Sequence, residues 1–97
     1  MRYKILNPLL HAQLRLGIMS ILMSESEADF VYLKNELGAS SGNLSVQLNK
    51  LKQAGYISLI KTFNGNLPQT IVRIEEAGVS AFSEYLSALK DYLIYKK

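Results

Sequence analysis

The 97-residue chain has no cysteine and no tryptophan, a single histidine and two prolines. The missing thiols exclude disulfides, iron–sulfur clusters, thiolate zinc sites and cysteine nucleophiles together. His11 alone cannot assemble a multi-histidine metal site within one chain. There is no glycine-rich phosphate loop, no nucleophile elbow and no cluster of spaced metal ligands. The eight carboxylates are scattered over helix ends and loops, where capping and solvation account for them. The expectation is a protein that is not an enzyme and needs no cofactor. Long apolar runs are also lacking: Leu14 to Met23 is interrupted by Arg15, Gly17 and Ser20 and cannot span a bilayer. With no signal-peptide pattern visible, a cytoplasmic protein without a membrane partner is expected. A chain of 97 residues that is 48% hydrophobic makes one domain (1–97), too apolar to be disordered and small enough to gain from a partner subunit.

The most informative absence is local. Between Glu36 and Glu75 there is no acidic residue, while Lys50, Lys52, Lys61 and Arg73 lie inside that window. The net charge of +3 would not by itself suggest nucleic acid; its uneven placement does.

Helical spacing of Leu10, Leu14, Ile18 and Leu22 predicts helical structure over 5–23, which Pro8 and the His11-Ala12 neighbourhood split in two. Ser24 to Glu27 reads as a polar loop. Asp29 is suited to cap a short helix from Phe30 to Leu37, and Gly38 to end it in a left-handed conformation. Ser40 or Ser41 then caps a helix to about Ala54, so that 30–54 forms a helix-turn-helix. Over 56–74 the period changes to two. Tyr56 to Phe63 and Gln69 to Ile74 read as strands, joined by an Asn64-Gly65 hairpin signal. The helical period returns over 75–95. The class expected is mainly α with a small β-hairpin, a winged helix-turn-helix with an added C-terminal dimerisation helix.

The stripe Leu44, Leu48, Leu51 leaves the other side of its helix to Gly42, Val46, Asn49 and Gln53, with Asn43 and Lys50 on one shoulder and Ser45 and Gln47 nearer the sides. A merely solvated face is usually a mixture of Glu and Lys; this one carries amides, hydroxyls and a valine. Asn43, Gln47 and Asn49 are suited to adenine, Val46 to a thymine methyl, and Ser40, Ser41 and Ser45 to phosphate or base. Lys50 is suited to phosphate. In the hairpin, Lys61, Asn66 and Arg73 are candidate backbone contacts, although Leu67 at the tip suits DNA poorly. The last helix has more apolar surface than one small domain needs. Phe82, Tyr85, Leu86, Leu89, Tyr92 and Leu93, together with Leu6 and Leu10 of the N-terminal region, are the expected contacts of a two-fold homodimer. His11 is expected to make a structural hydrogen bond at a helix junction. The runner-up function is a winged-helix protein-interaction module without specific DNA binding.

Three segments carry a family resemblance. They are Pro8-Leu9-Leu10-His11 with Arg15-Leu16-Gly17-Ile18-Met19, then Asp29-Phe30-Val31-Tyr32-Leu33, and Gly42-Asn43-Leu44-Ser45-Val46-Gln47-Leu48 running on to Gly55-Tyr56-Ile57. Over about residues 5 to 90 the chain resembles the small winged-helix transcriptional regulators related to the MarR and ArsR groups. The resemblance implies a homodimer on pseudo-palindromic double-stranded DNA, with the helix after the turn in the major groove and contacts from Ser41, Asn43, Ser45 and Gln47. It leaves room for a small-molecule effector of unknown identity. The chain departs from the pattern in having Asn66-Leu67-Pro68-Gln69 where relatives carry basic wing residues, and in lacking the Thr or Ser cap before the last helix. It also lacks the ligands with which ArsR-type relatives sense metals.

Overall fold

The computed structural model describes residues 3–94. In chain order the elements are α1 (Gln13–Glu25), β1 (Glu27–Asp29), α2 (Phe30–Leu37), α3 (Ser41–Gln53), β2 (Ile57–Asn64), β3 (Leu67–Ile74) and α4 (Glu76–Leu93). Tyr95, expected at the end of the last helix, lies outside the described residues.

Two differences from the expected elements have local causes. The longer helix α1 begins at Gln13, just after the expected split at His11-Ala12, but the segment before it is a turn organised by Asn7 and not a short helix. Asn7 Oδ1 accepts from the Leu9 amide at 3.0 Å, and the Asn7 carbonyl accepts from the His11 amide at 2.9 Å. Asn before Pro favours such a turn. It delivers Leu10 into the core, and Ala12 is extended where the helix starts. Secondly, Glu27–Asp29 is not loop but a third strand, and the sheet order is β1-β3-β2. Ala28 stands opposite Val72, and both are buried. Three residues are too few for an alternating pattern to be visible. Ser26 turns the chain between α1 and β1 with φ of 71°, alone among the described non-glycine residues in having positive φ. Its amide donates to the Leu22 carbonyl at 2.8 Å and its carbonyl accepts from the Ile74 amide at 3.0 Å, bonds that hold this costly conformation.

The core is one cluster: Leu10, Ile18, Met19, Leu22, Leu33, Leu44, Leu51 and Val72 have no exposed surface, and Leu48 and Ile57 close it. Each such side chain contributes about 2 kcal/mol by leaving water. The expected stripe of α3 therefore does face inward, and α2 contributes Leu33. The hairpin is anchored only at its base. Ile57 is buried, Ser58 to Ile60 are partly buried, and every residue from Lys61 to Pro68 is exposed. The outer half projects as a wing. Its turn is Gly65-Asn66, one residue later than the Asn64-Gly65 signal suggests. Asn64 pairs with Leu67, and positive φ occurs at Gly65 alone. That placement suits a two-residue turn with glycine first.

Helix α4 closes the core with Phe82 and Tyr85. At its start the Glu75 amide donates to the Tyr56 carbonyl at 2.9 Å, and a Cβ at Gly78 would overlap that same carbonyl oxygen. Only glycine lets the helix approach so closely. Gly78→Ala is expected to cost at least about 2 kcal/mol through overpacking against rigid backbone. Gly42→Ala, whose Cβ meets nothing within 4 Å, is expected to cost nothing measurable. Urea unfolding of the two variants side by side checks this.

Candidate nucleic-acid interface

The expected reading face is built from the turn upward. Gly38, at φ of 61°, ends α2, and Ser40 opens α3, its hydroxyl accepting from the Asn43 amide at 3.1 Å. Asp29 does the same for α2, accepting from the Val31 and Tyr32 amides at 2.9 and 3.3 Å. The caps satisfy helix-end donors that would otherwise need water. They also fix where each helix begins, and so which residues of α3 point outward. Ser40 is thus engaged as a cap, while Ser41 stands in the exposed first turn.

The outward face of α3 has three strips. Gly42, Val46 and Gln53 form its exposed middle, with Val46 51% exposed. One flank turns toward α1. There Arg15 donates from Nε to the Leu9 carbonyl and from Nη1 to Gln47 Oε1, and Gln47 Nε2 donates to Asn43 Oδ1 at 3.0 Å. Lys50 continues that flank, exposed. The other flank turns toward the hairpin. Ser45 and Asn49 share a groove of about 260 Å³ with Phe30, Leu48, Leu59, Lys61 and Thr70. Lys61 pairs with Thr70 across the ladder, on the same sheet face as Ile57 and Leu59, so it stands beside the α3 flank.

Arg73 is on the other sheet face. It pairs with Ser58 near the hairpin base, and its guanidinium lies 3.5 Å from Glu27. A half-exposed pair of this kind adds little stability, but it sets a carboxylate beside a cation expected to be free for phosphate. The structure therefore separates Arg73 from Lys61 and from α3: Thr70, the cross-strand partner of Lys61, is three positions from Arg73 on β3, and period two sends residues an odd number apart on one strand to opposite faces. Asn66 is exposed in the turn, between Phe63 and Leu67, which are 69% and 70% exposed. The wing tip is apolar and amide-bearing, with no cation.

The expected dimer contacts do not share one surface. Leu10, Phe82 and Tyr85 belong to the core of a single chain, so their assignment to an interface is corrected. Leu6 and Leu89 are half-buried against that core. Leu86 and Leu93 are 46% and 74% exposed. With Val79, which the interface assignment did not include, they form a stripe at i, i+7, i+14. Tyr92 is partly occupied by the N-terminal segment: its ring stacks on Tyr3 at 4.8 Å and its hydroxyl donates to the Lys4 carbonyl at 2.7 Å. His11 makes the structural contact expected of it, Nδ1 lying 2.8 Å from the Tyr85 hydroxyl.

Sequence reasoning missed Arg15 and Thr70. Arg15 is 32 positions from Gln47, and no linear pattern connects them. Among the described residues no group of three His, Cys, Asp or Glu could hold a metal ion, and no helix is long and apolar enough to cross a membrane.

Comparison with known proteins agrees with this geometry. Residues 14–93 match the family described as winged helix DNA-binding domain. An uncharacterised protein of Methanocaldococcus jannaschii is 32% identical over 72 residues, covering 74% of this chain and 78% of that one. Among solved structures, a transcriptional regulator homologue from Pyrococcus horikoshii superposes with a TM-score of 0.83 at 29% identity, covering 88% of this chain and 84% of that one. The transcriptional regulator BldR from Sulfolobus solfataricus gives 0.71 at 22% identity, covering 84% of this chain and 58% of that one. NadR, solved in complex with 4-hydroxyphenylacetate, gives 0.73 at 19% identity, with 89% and 63% covered.

Because Ser40 holds the first turn of α3, Ser40→Ala is expected to lower stability by about 1 kcal/mol. A shift of the urea midpoint without change in slope is the expected signature.

Proposed function

The chain belongs to the winged helix DNA-binding domain family, and on that premise we propose that it is a homodimeric, sequence-specific regulator of transcription. In this reading α3 enters the major groove of double-stranded DNA in the cytoplasm. The observation that carries the proposal is the outward face of α3, which is free of carboxylates, lined with amides and hydroxyls, and flanked by Lys50 and Lys61. A DNA backbone repels carboxylates and attracts lysine, while base edges pair with amides. Asn43, Ser45, Val46, Gln47 and Asn49 are the proposed base-reading set. Ser41, Lys50 and Lys61 are the proposed backbone contacts, and Asn66 a weaker one. Arg73, tied to Glu27, is kept only as a peripheral contact.

The exposed stripe Val79, Leu86, Leu93 supports a dimer through α4. Residues seven apart return to one helix face and suit packing against a two-fold copy. Two α3 helices would then address half-sites about 34 Å apart, one turn of DNA. The groove of about 450 Å³ between the N-terminal segment and α4, lined by Lys4, Asn7, Glu84 and Ser87 among others, is large enough for a small effector. That NadR holds 4-hydroxyphenylacetate supports looking for one.

The second reading, a protein-interaction module, is favoured by the apolar wing tip formed by Phe63 and Leu67. Salt separates the two. Binding to DNA fragments selected from a random pool is expected to weaken steeply between 50 and 200 mM salt, by at least about tenfold. Lys50→Ala should weaken all sequences alike and flatten the salt slope by about two units, one for each copy in the dimer. Flat salt dependence would favour the protein-interaction reading. Leu86→Glu is expected to convert a sedimenting dimer to a folded monomer with much weaker operator binding. A wild-type monomer at tens of micromolar would overturn the dimer.

A further inference from the structure

The chain of hydrogen bonds from Arg15 through Gln47 to Asn43 fixes which way two amides face. A guanidinium only donates, so the Gln47 atom facing Arg15 Nη1 is the carbonyl Oε1. The amide nitrogen of Gln47 is then the end that turns along the helix, and it donates to Asn43 Oδ1 at 3.0 Å. The oxygen of Asn43 is engaged, and its Nδ2 group is the end left for a ligand. Arg15 is itself half-buried and held by the Leu9 carbonyl, whereas Asn43 is exposed. The orientation of the exposed amide is therefore set from α1, by a side chain that need not touch DNA.

That orientation has a consequence for base choice. Adenine shows the major groove an acceptor, N7, and a donor, N6; an amide reads it by offering N–H and C=O together. Guanine shows two acceptors, N7 and O6. The Asn43 oxygen keeps a second lone pair, but adenine has to share that oxygen with Gln47 Nε2, and freeing it by turning the amide over sets Nδ2 against Gln47 Nε2, two donors face to face. Guanine needs no such change. Resting on the reading that α3 enters the major groove, we propose that Arg15 is a specificity-positioning residue. Acting through Gln47, it holds Asn43 as a hydrogen-bond donor, so that the base facing Asn43 is guanine. The adenine preference expected from residue type alone is thereby reversed.

The test is competition binding of the purified chain to operators recovered from random DNA, with each base varied in turn. The relevant position is the one whose preference disappears in Asn43→Ala. There the wild type is expected to favour guanine over adenine by about tenfold. Arg15→Met retains the apolar length of the side chain, removes its donors and should abolish most of that margin. Gln47→Glu retains the Arg15 contact, but a carboxylate only accepts. Asn43 then turns to donate to it, presents its own oxygen, and preference moves to a base with an amino donor, adenine or cytosine. Circular dichroism establishes that each variant is folded; should Arg15→Met not fold, Gln47→Glu decides. Adenine at the Asn43-dependent position of the wild type, or an unchanged guanine preference in Gln47→Glu, overturns the proposal and leaves α3 as the reading helix. If Asn43→Ala changes no preference at any position, the recognition-helix reading itself fails and this inference falls with it.

Discussion

Four parts of the molecule meet at Tyr56. Its amide donates to the Leu51 carbonyl at 3.1 Å, closing α3, and its carbonyl accepts from Glu75 at 2.9 Å, opening α4. Its hydroxyl accepts from Asn7 Nδ2 at 3.0 Å, tying down the turn that places Leu10 in the core. Gly78 lies against the same carbonyl with no room for a side chain. Backbone groups taken out of water must find partners. Here the partners are shared, so the end of α3, the base of the wing, the start of α4 and the N-terminal segment are set relative to one another at one residue. The position of the reading face relative to the proposed dimer helix follows from that junction.

The proposed interface is built mainly from neutral groups. Cations are few, and one of them, Arg73, lies on the far sheet face beside Glu27. What distinguishes the surface is that α3 presents side chains able to donate or accept without long-range repulsion of phosphate. With so few cations on each copy, the salt dependence proposed for binding comes from the phosphate contacts of two copies together. In the proposed function, discrimination depends on the direction of individual hydrogen bonds and on two copies acting together. The Arg15 network is consistent with that design, since it gives direction to amides that would otherwise rotate freely.

Much of this was legible in the sequence, and for identifiable reasons. The Leu44, Leu48, Leu51 stripe, the Asp29 and Ser40 caps and the Gly38 terminus are local signals, each decided within about one helical turn. The acid-free window is a matter of composition. The hairpin showed in its change of period, although its turn is displaced by one residue because Gly65 takes the first central position. Strand β1 was not legible: three residues become a strand only because β3 is beside them. Nor was the turn before α1: the break at His11-Ala12 was legible, but the Asn7 side chain replaces the expected short first helix with a turn.

The sequence by itself determined the architecture and the character of the proposed reading face, because helix caps, apolar period and charge placement act between near neighbours. Tertiary structure decided how those residues are used. Phe82 and Tyr85 share the apolar period of Leu86 and Leu93, yet the first two fill the core and the others remain exposed, a division set by where α4 crosses the rest of the fold. Lys61 and Arg73 look equivalent along the chain, and the pleat sends them to opposite faces. Gln47 looks like a free amide until α1 brings Arg15 to it. In each case the deciding partner is distant in sequence, and only the packing of α1, α3 and the hairpin on one core brings it within hydrogen-bond reach.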